Sequence, residues 1–131
     1  MMRALVVEDD FVSREVLRKH LAPFFDVNIV VNGEEAVSAF RMASEERRPY
    51  NLVVMDIMMP VLDGLSALKR IREFEAERDL DPVTVIMATA LSDPKTVMQS
   101  FNGCAAAGYI VKPYDGEKIR DQLVRAGFIF E

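Results

Sequence analysis

The chain has 131 residues, half of them apolar and 28% charged, with 21 acids against 16 bases and a net charge of −5. That is one domain of ordinary size with enough apolar residues for a real core, which excludes a disordered chain. An acidic balance argues against unaided nucleic-acid binding, because the densest charge run, Glu45-Glu46-Arg47-Arg48, is mixed in sign and fits a solvated helix end.

In chain order, the first β-rich run falls at about 3–7 and breaks at Glu8-Asp9-Asp10. Met1-Met2-Arg3 leads straight into it with no signal-peptide pattern. A helix follows, with Val12, Val16 and His20 on one stripe and Leu17 and Leu21 beside it. The second strand is expected at 27–31, then Asn32-Gly33 opens a helix marked by Ala36, Val37 and Phe40. The third strand, at 51–55, ends at Asp56 and runs into Ile57-Met58-Met59-Pro60. Asp63-Gly64 opens a third helix through Leu65, Leu68, Ile71 and Phe74. A fourth strand at 83–88 reaches Thr89-Ala90, and Ser92-Asp93-Pro94 is expected to start a fourth helix through Val97, Met98 and Phe101. The fifth strand, at 107–111, ends at Lys112-Pro113. Asp115 is positioned to cap a fifth helix through Ile119, Leu123 and Ala126, which Gly127 stops, so that Phe128-Ile129-Phe130 folds back onto apolar surface.

Five strands alternating with five helices predict a parallel sheet covered on both faces, an α/β (βα)5 doubly wound fold of strand order 2-1-3-4-5. No linker or repeat divides residues 1–131, so a single domain with no output domain is expected. No apolar run approaches membrane-spanning length, and the expectation is a soluble, cytoplasmic protein. The single cysteine, Cys104, fits a reducing compartment and a packing role. His20 has no metal-ligand spacing around it, which leaves it a surface or helix-end role rather than a zinc site.

In such sheets the carboxyl ends of the strands beside the switch point line the ligand crevice. Glu8, Asp9 and Asp56 should converge there, and like charges that close call for a cation. An all-oxygen, partly hydrated donor set suits Mg2+. Thr89 and Lys112 supply the hydroxyl and the ammonium that a phosphoryl group would need. Taken singly, each acid has a plain alternative as a turn residue or cap, Asp10 above all. Thr89 alone could be structural and Lys112 alone solvated, but Lys112 follows an apolar strand and precedes a proline. The set is far more informative than any member.

These runs resemble the receiver domain of bacterial two-component response regulators over nearly the whole chain. The shared motifs are Val6-Val7-Glu8-Asp9, Met55-Asp56-Ile57-Met58-Met59-Pro60 with Asp63-Gly64 after it, Thr89-Ala90, and Tyr109-Ile110-Val111-Lys112-Pro113. The likeness is to the stand-alone type that serves in chemotaxis. It implies that Asp56 takes a phosphoryl group from a histidine kinase or phosphotransfer protein. It also implies that Glu8 (through water), Asp9, Asp56 and the Met58 backbone carbonyl hold Mg2+. By the same resemblance Lys112 contacts the phosphoryl group, Thr89 swings toward it, and Tyr109 is the aromatic switch. Asp56 would act as nucleophile, with Mg2+ and Lys112 offsetting charge on the phosphoryl oxygens.

Two departures stand out. Ala105 occupies a position, four before the aromatic, where many receivers have glycine. Met58 and Leu91, two after Asp56 and two after Thr89, are both apolar. Neither can orient water, so they are expected to lengthen the life of the phosphoaspartate, with simple loop packing as the alternative. Three competing classes remain at this point: a dehalogenase-type Mg2+-dependent aspartyl-phosphate hydrolase, a flavin carrier, and a receiver-like scaffold that is never phosphorylated. The hydrolase should have a second Asp where Met58 stands, and Glu8-Asp9-Asp10 would repel a flavin phosphate. The output surface is expected around the fourth helix, fifth strand and fifth helix, with an unnamed protein target. No membrane partner is expected, and the state is a monomer or a phosphorylation-dependent dimer.

Overall fold

A computed structural model describes residues 1–90 and 106–128 of the chain. The elements run β1 (Met2–Val7), α1 (Phe11–Leu21), β2 (Phe25–Val30), α2 (Gly33–Glu45), β3 (Leu52–Asp56), α3 (Gly64–Glu77), β4 (Thr84–Thr89), β5 (Gly108–Val111) and α4 (Gly116–Arg125). The helix expected around Val97, Met98 and Phe101, its cap at Ser92, and Cys104 and Ala105 lie outside the described residues. Helix α4 is therefore the one that the sequence reading counts as fifth.

All strand pairs are parallel and the order is β2-β1-β3-β4-β5, as the alternating pattern predicts. Central strands in such a sheet are covered on both faces, which is why Ala4–Val7 and Leu52–Met55 are continuous apolar runs rather than alternating ones. Successive side chains still point to opposite faces and sort the core into two halves. Leu5, Val7, Val53, Met55, Val85 and Met87 pack with α2 and α3 residues such as Phe40, Leu68 and Ile71. Ala4, Val6, Leu52, Val54, Ile86 and Ile110 pack with Leu17 and Leu21 of α1 and Ile119 and Leu123 of α4.

Each described helix begins at a side chain that satisfies an orphan amide. Asp10, Asn32, Asp63 and Asp115 accept from the amides of Ser13, Glu35, Ser66 and Lys118, contributing roughly 1 kcal/mol apiece. Gly127 adopts φ 89 just past α4, and Phe128 returns to the core with its ring edge-on to Phe25 at 5.3 Å. Ile129 and Phe130 lie outside the described residues.

Several boundaries shift from the sequence expectation. Strand β2 begins at Phe25 rather than at residue 27, and β3 and β4 each include their terminal Asp56 or Thr89. On α1 the buried positions are Leu17 and Leu21, while Val12 is exposed. Val12, in the first turn, meets solvent, while Val16 on the same stripe packs against the margin of the core. His20, in the last turn of α1, lies against Gly116 at the start of α4.

Candidate functional site

The sheet delivers its chemistry at one edge. Glu8 follows the last residue of β1, and its amide donates to the Val30 carbonyl at 3.1 Å, which extends the β1–β2 ladder by one step. Val7 pairs with Met55, so Asp56 at the end of β3 falls beside Glu8. Asp56 in turn pairs with Ala88, and Thr89 with Val111, which places Lys112 immediately beyond β5 on the same rim. Register alone thus assembles residues separated by a hundred positions.

Glu8, Asp9 and Asp56 each present an oxygen within 4.8 Å of the others. Glu8 is 0% exposed and Asp56 4%, while Asp9 faces solvent. Lys112 Nζ bonds to Asp56 Oδ2 at 2.7 Å and to Glu8 Oε1 at 3.0 Å. Burial opposes the charge on Lys112, but its hydrogen bonds to Asp56 and Glu8 outweigh burial and raise its pKa above the usual lysine value. One ammonium faces three acidic side chains, and every candidate donor is an oxygen. That set fits a hard divalent cation of the Mg2+ kind, and it would be held by Asp9 and Asp56 with Glu8 close behind.

The loop after β3 is fitted tightly against Asp56. The Met58 amide donates to Asp56 Oδ1 at 3.1 Å, and the Gly64 amide donates to the Ile57 carbonyl at 2.8 Å. A Cβ on Gly64 would sit 2.2 Å from the Asp56 carbonyl oxygen, so only glycine permits this approach. The Met58 side chain is exposed beside the site; Leu91 lies outside the described residues. Thr89 is buried and its hydroxyl donates to the Ala90 carbonyl at 3.2 Å, one strand away from Asp56. Tyr109, within the edge strand β5, is 39% exposed.

One polar residue at the site has no counterpart in the sequence reading. Tyr114 is buried, and its O–H donates to Glu8 Oε1 at 2.9 Å. Burial, and then the charge of Glu8, pushes this phenol far above its ordinary range, so it remains a neutral donor. Its position directly after Lys112-Pro113, with a polar handle on a side chain headed for the core, is the signal that could have found it.

Comparison with known proteins agrees with this geometry. Residues 4–124 match the family model described as the response regulator receiver domain. The chemotaxis protein CheY of Halobacterium salinarum is 32% identical over 122 residues, covering 92% of each chain. The probable transcriptional regulator ycf27 of Porphyridium aerugineum is 35% identical, but the chain spans only 46% of its length. The first curated relatives are likewise about twice as long as this chain or longer. A chain of the CheX–CheY–BeF3–Mg2+ complex from Borrelia burgdorferi superposes with a TM-score of 0.81 at 27% identity, over 98% of this chain and 90% of that one. The chemotaxis response regulator CheY4 of Vibrio cholerae shares the fold with a TM-score of 0.76 at 23% identity. Among the described residues no helix is long and apolar enough to cross a membrane. The chain belongs to the response regulator receiver domain family, the phosphoacceptor signalling modules of two-component systems.

Proposed function

We propose that Asp56 is the phosphoacceptor of this receiver and that Mg2+ is its cofactor. The observation that carries the reading is the convergence of Glu8, Asp9, Asp56 and Lys112 on one rim of the sheet. In the reaction an Asp56 carboxylate oxygen attacks the phosphorus of a phosphohistidine on a kinase or phosphotransfer protein. The phosphorus–nitrogen bond breaks as the oxygen–phosphorus bond forms, and the imidazole leaves with the bonding pair and takes up a proton.

Each residue has a physical task in that step. The Met58 amide fixes one Asp56 oxygen, which leaves the other as the nucleophile. Lys112 holds that second oxygen before the reaction and is placed to neutralise a phosphoryl oxygen after it. Asp9 and Asp56, with the Met58 backbone carbonyl, would hold Mg2+, and Glu8 would act through water. Bound there, the cation offsets the charge on the phosphoryl oxygens. The Borrelia burgdorferi complex, which contains Mg2+ and BeF3, supports this choice of cation.

Signalling follows from the same neighbourhood. Thr89 donates to a backbone carbonyl that a phosphoryl oxygen could replace as acceptor. Movement of that hydroxyl vacates space toward β5, into which Tyr109 turns, and the altered face around β5 and α4 meets a downstream protein. A kinase or phosphotransfer protein and that target are the partners. The test is intact-mass measurement after incubation with acetyl phosphate and Mg2+. Wild type should gain one phosphoryl group and Asp56→Asn none; an equal gain in both would overturn the assignment.

A further inference from the structure

Glu8 is held more firmly than a residue that merely adds negative charge requires. Its Oε1 accepts from the Tyr114 phenol at 2.9 Å and from Lys112 at 3.0 Å, while its Oε2 accepts from the Asp10 amide at 3.2 Å. A carboxylate has about four acceptor positions, and three here are taken by donors of its own chain. The side chain is fully buried, so no water competes for those bonds. Of the three donors, Lys112 is shared with Asp56 and the Asp10 amide belongs to the start of α1. The phenol is the side-chain donor that Glu8 does not share with another acidic side chain. It approaches from the core side, because the Tyr114 ring packs with Ile110, Ile119 and Leu123 under the sheet.

A tethered Glu8 changes what kind of cation the site suits. Mg2+ demands near-octahedral geometry at about 2.0–2.1 Å, keeps several waters and takes one or two carboxylates. Ca2+ accepts about six to eight oxygens at roughly 2.3–2.6 Å, readily including a bidentate carboxylate. With Glu8 tethered, Asp9 and Asp56 are the two carboxylates left to coordinate directly, and the remaining positions fall to water, phosphoryl oxygen and backbone. With Glu8 released, a third and flexible carboxylate joins them, which favours the larger ion.

Granting the cation site at Asp9 and Asp56 on which it rests, we propose that Tyr114 is a specificity-determining residue. By holding Glu8 back from direct coordination, it makes the site discriminate for Mg2+ and against Ca2+.

The test is calorimetric titration of the whole chain with MgCl2 and with CaCl2. Tyr114→Phe removes the O–H and keeps the ring, so the packing under the sheet is preserved. The ratio of Ca2+ to Mg2+ affinity should rise several-fold in this variant. A ratio that stays at the wild-type value, with both affinities moving by one factor or not at all, overturns the tether while leaving the cation site intact. Introduced into Glu8→Gln, the same substitution should leave the ratio unmoved; a shift there would show that the phenol acts through something other than the carboxylate and would overturn the proposal. A crystal structure of wild type with Mg2+ gives a reading that needs no variant. Tyr114 bonded to Glu8, with Glu8 outside the inner coordination sphere, supports the proposal, and a direct Glu8–Mg2+ bond overturns it. A wild type that binds neither ion overturns the cation site itself, and the tether with it.

Discussion

The loop after β3 and the loop after β5 both border Asp56, and they are held there by opposite means. Residues 57–63 are stitched by backbone: the Gly64 amide to the Ile57 carbonyl at 2.8 Å, and the Gly33 amide to the Leu62 carbonyl at 3.0 Å. Side chains are excluded at both glycines, where a Cβ would meet a carbonyl oxygen at 2.2 Å or 2.3 Å. Residues 112–115 start from one backbone bond, the Lys112 amide to the Thr89 carbonyl, and are otherwise held by side chains, with Lys112 reaching Asp56 and Glu8, Tyr114 reaching Glu8 and Asp115 capping α4. The first loop braces Asp56 at the end of β3 and is fixed by shape. The second brings the neutralising charge and is fixed by the acids it neutralises. Shape tolerates no added atom, while charge tolerates any change that restores the balance.

Removing the ammonium is the strongest way to break the second loop. Lys112→Met leaves two buried acids adjacent without their shared cation, and breaking a fully buried pair costs about 3–5 kcal/mol. The Lys112 side chain is 26% exposed, so a loss of about 2–3 kcal/mol in urea unfolding is expected. MgCl2 should restore part of that loss and stabilise the variant more than wild type. The pH dependence has a definite sign. The folded-state pKa of Lys112 is raised above 10.5, so its contribution is complete below pH 10.5 and disappears as pH climbs through the folded value. The stability gap between wild type and Lys112→Met should therefore hold level from neutral pH to 10.5 and narrow only above it.

Gly64→Ala tests the first loop. Its Cβ has no room against the Asp56 carbonyl, and overpacking against backbone should cost about 2 kcal/mol by the same unfolding measurement. Unlike Lys112→Met, this loss should be insensitive to MgCl2, because no charge has changed. Equal rescue of both variants would erase the distinction between the loops.

The smallest effect runs the other way. Val61 is the centre of a three-residue turn closed by the Leu62 amide on the Pro60 carbonyl at 2.8 Å, and it adopts φ 70. A β-branched residue at positive φ is strained, and this side chain is exposed and contributes no core packing. Val61→Gly should raise stability by about 1 kcal/mol, since glycine has no Cβ to clash at positive φ. An unchanged or lower unfolding midpoint would mean that the loop does not bear strain at Val61.

Most of the sheet was legible because both cues in it are local. Continuous apolar runs that break at Glu8, Asp56 and Lys112 mark buried parallel strands and their ends at once, and parallel order then brings those ends together. The caps at Asn32, Asp63 and Asp115 were legible for the same reason, being set by the few residues that follow each. Val12 misled because helical spacing reports a stripe and not which turns of it are buried. Tyr114 was silent because its partner lies 106 positions away and no spacing rule links them. The tight fit of Gly64 was equally silent: a glycine after Asp63 reads as a helix start, and only the loop's return onto Asp56 shows that a side chain is forbidden. Val61 lacked any signal, since its strain arises from a turn that valine does not favour.

A phosphoryl group carried on the Asp56 carboxylate can be trapped chemically. Borohydride reduces an acyl phosphate to the corresponding alcohol and leaves free carboxylates untouched, so peptide mapping after acetyl phosphate, Mg2+ and borohydride reads the modified position directly. With Asp56 as the acceptor, homoserine should appear at position 56 and no other acid of the rim should be reduced. Homoserine at position 9 or 10, 5-hydroxynorvaline at position 8, or phosphoryl incorporation with no reducible acyl group at all, would contradict that assignment.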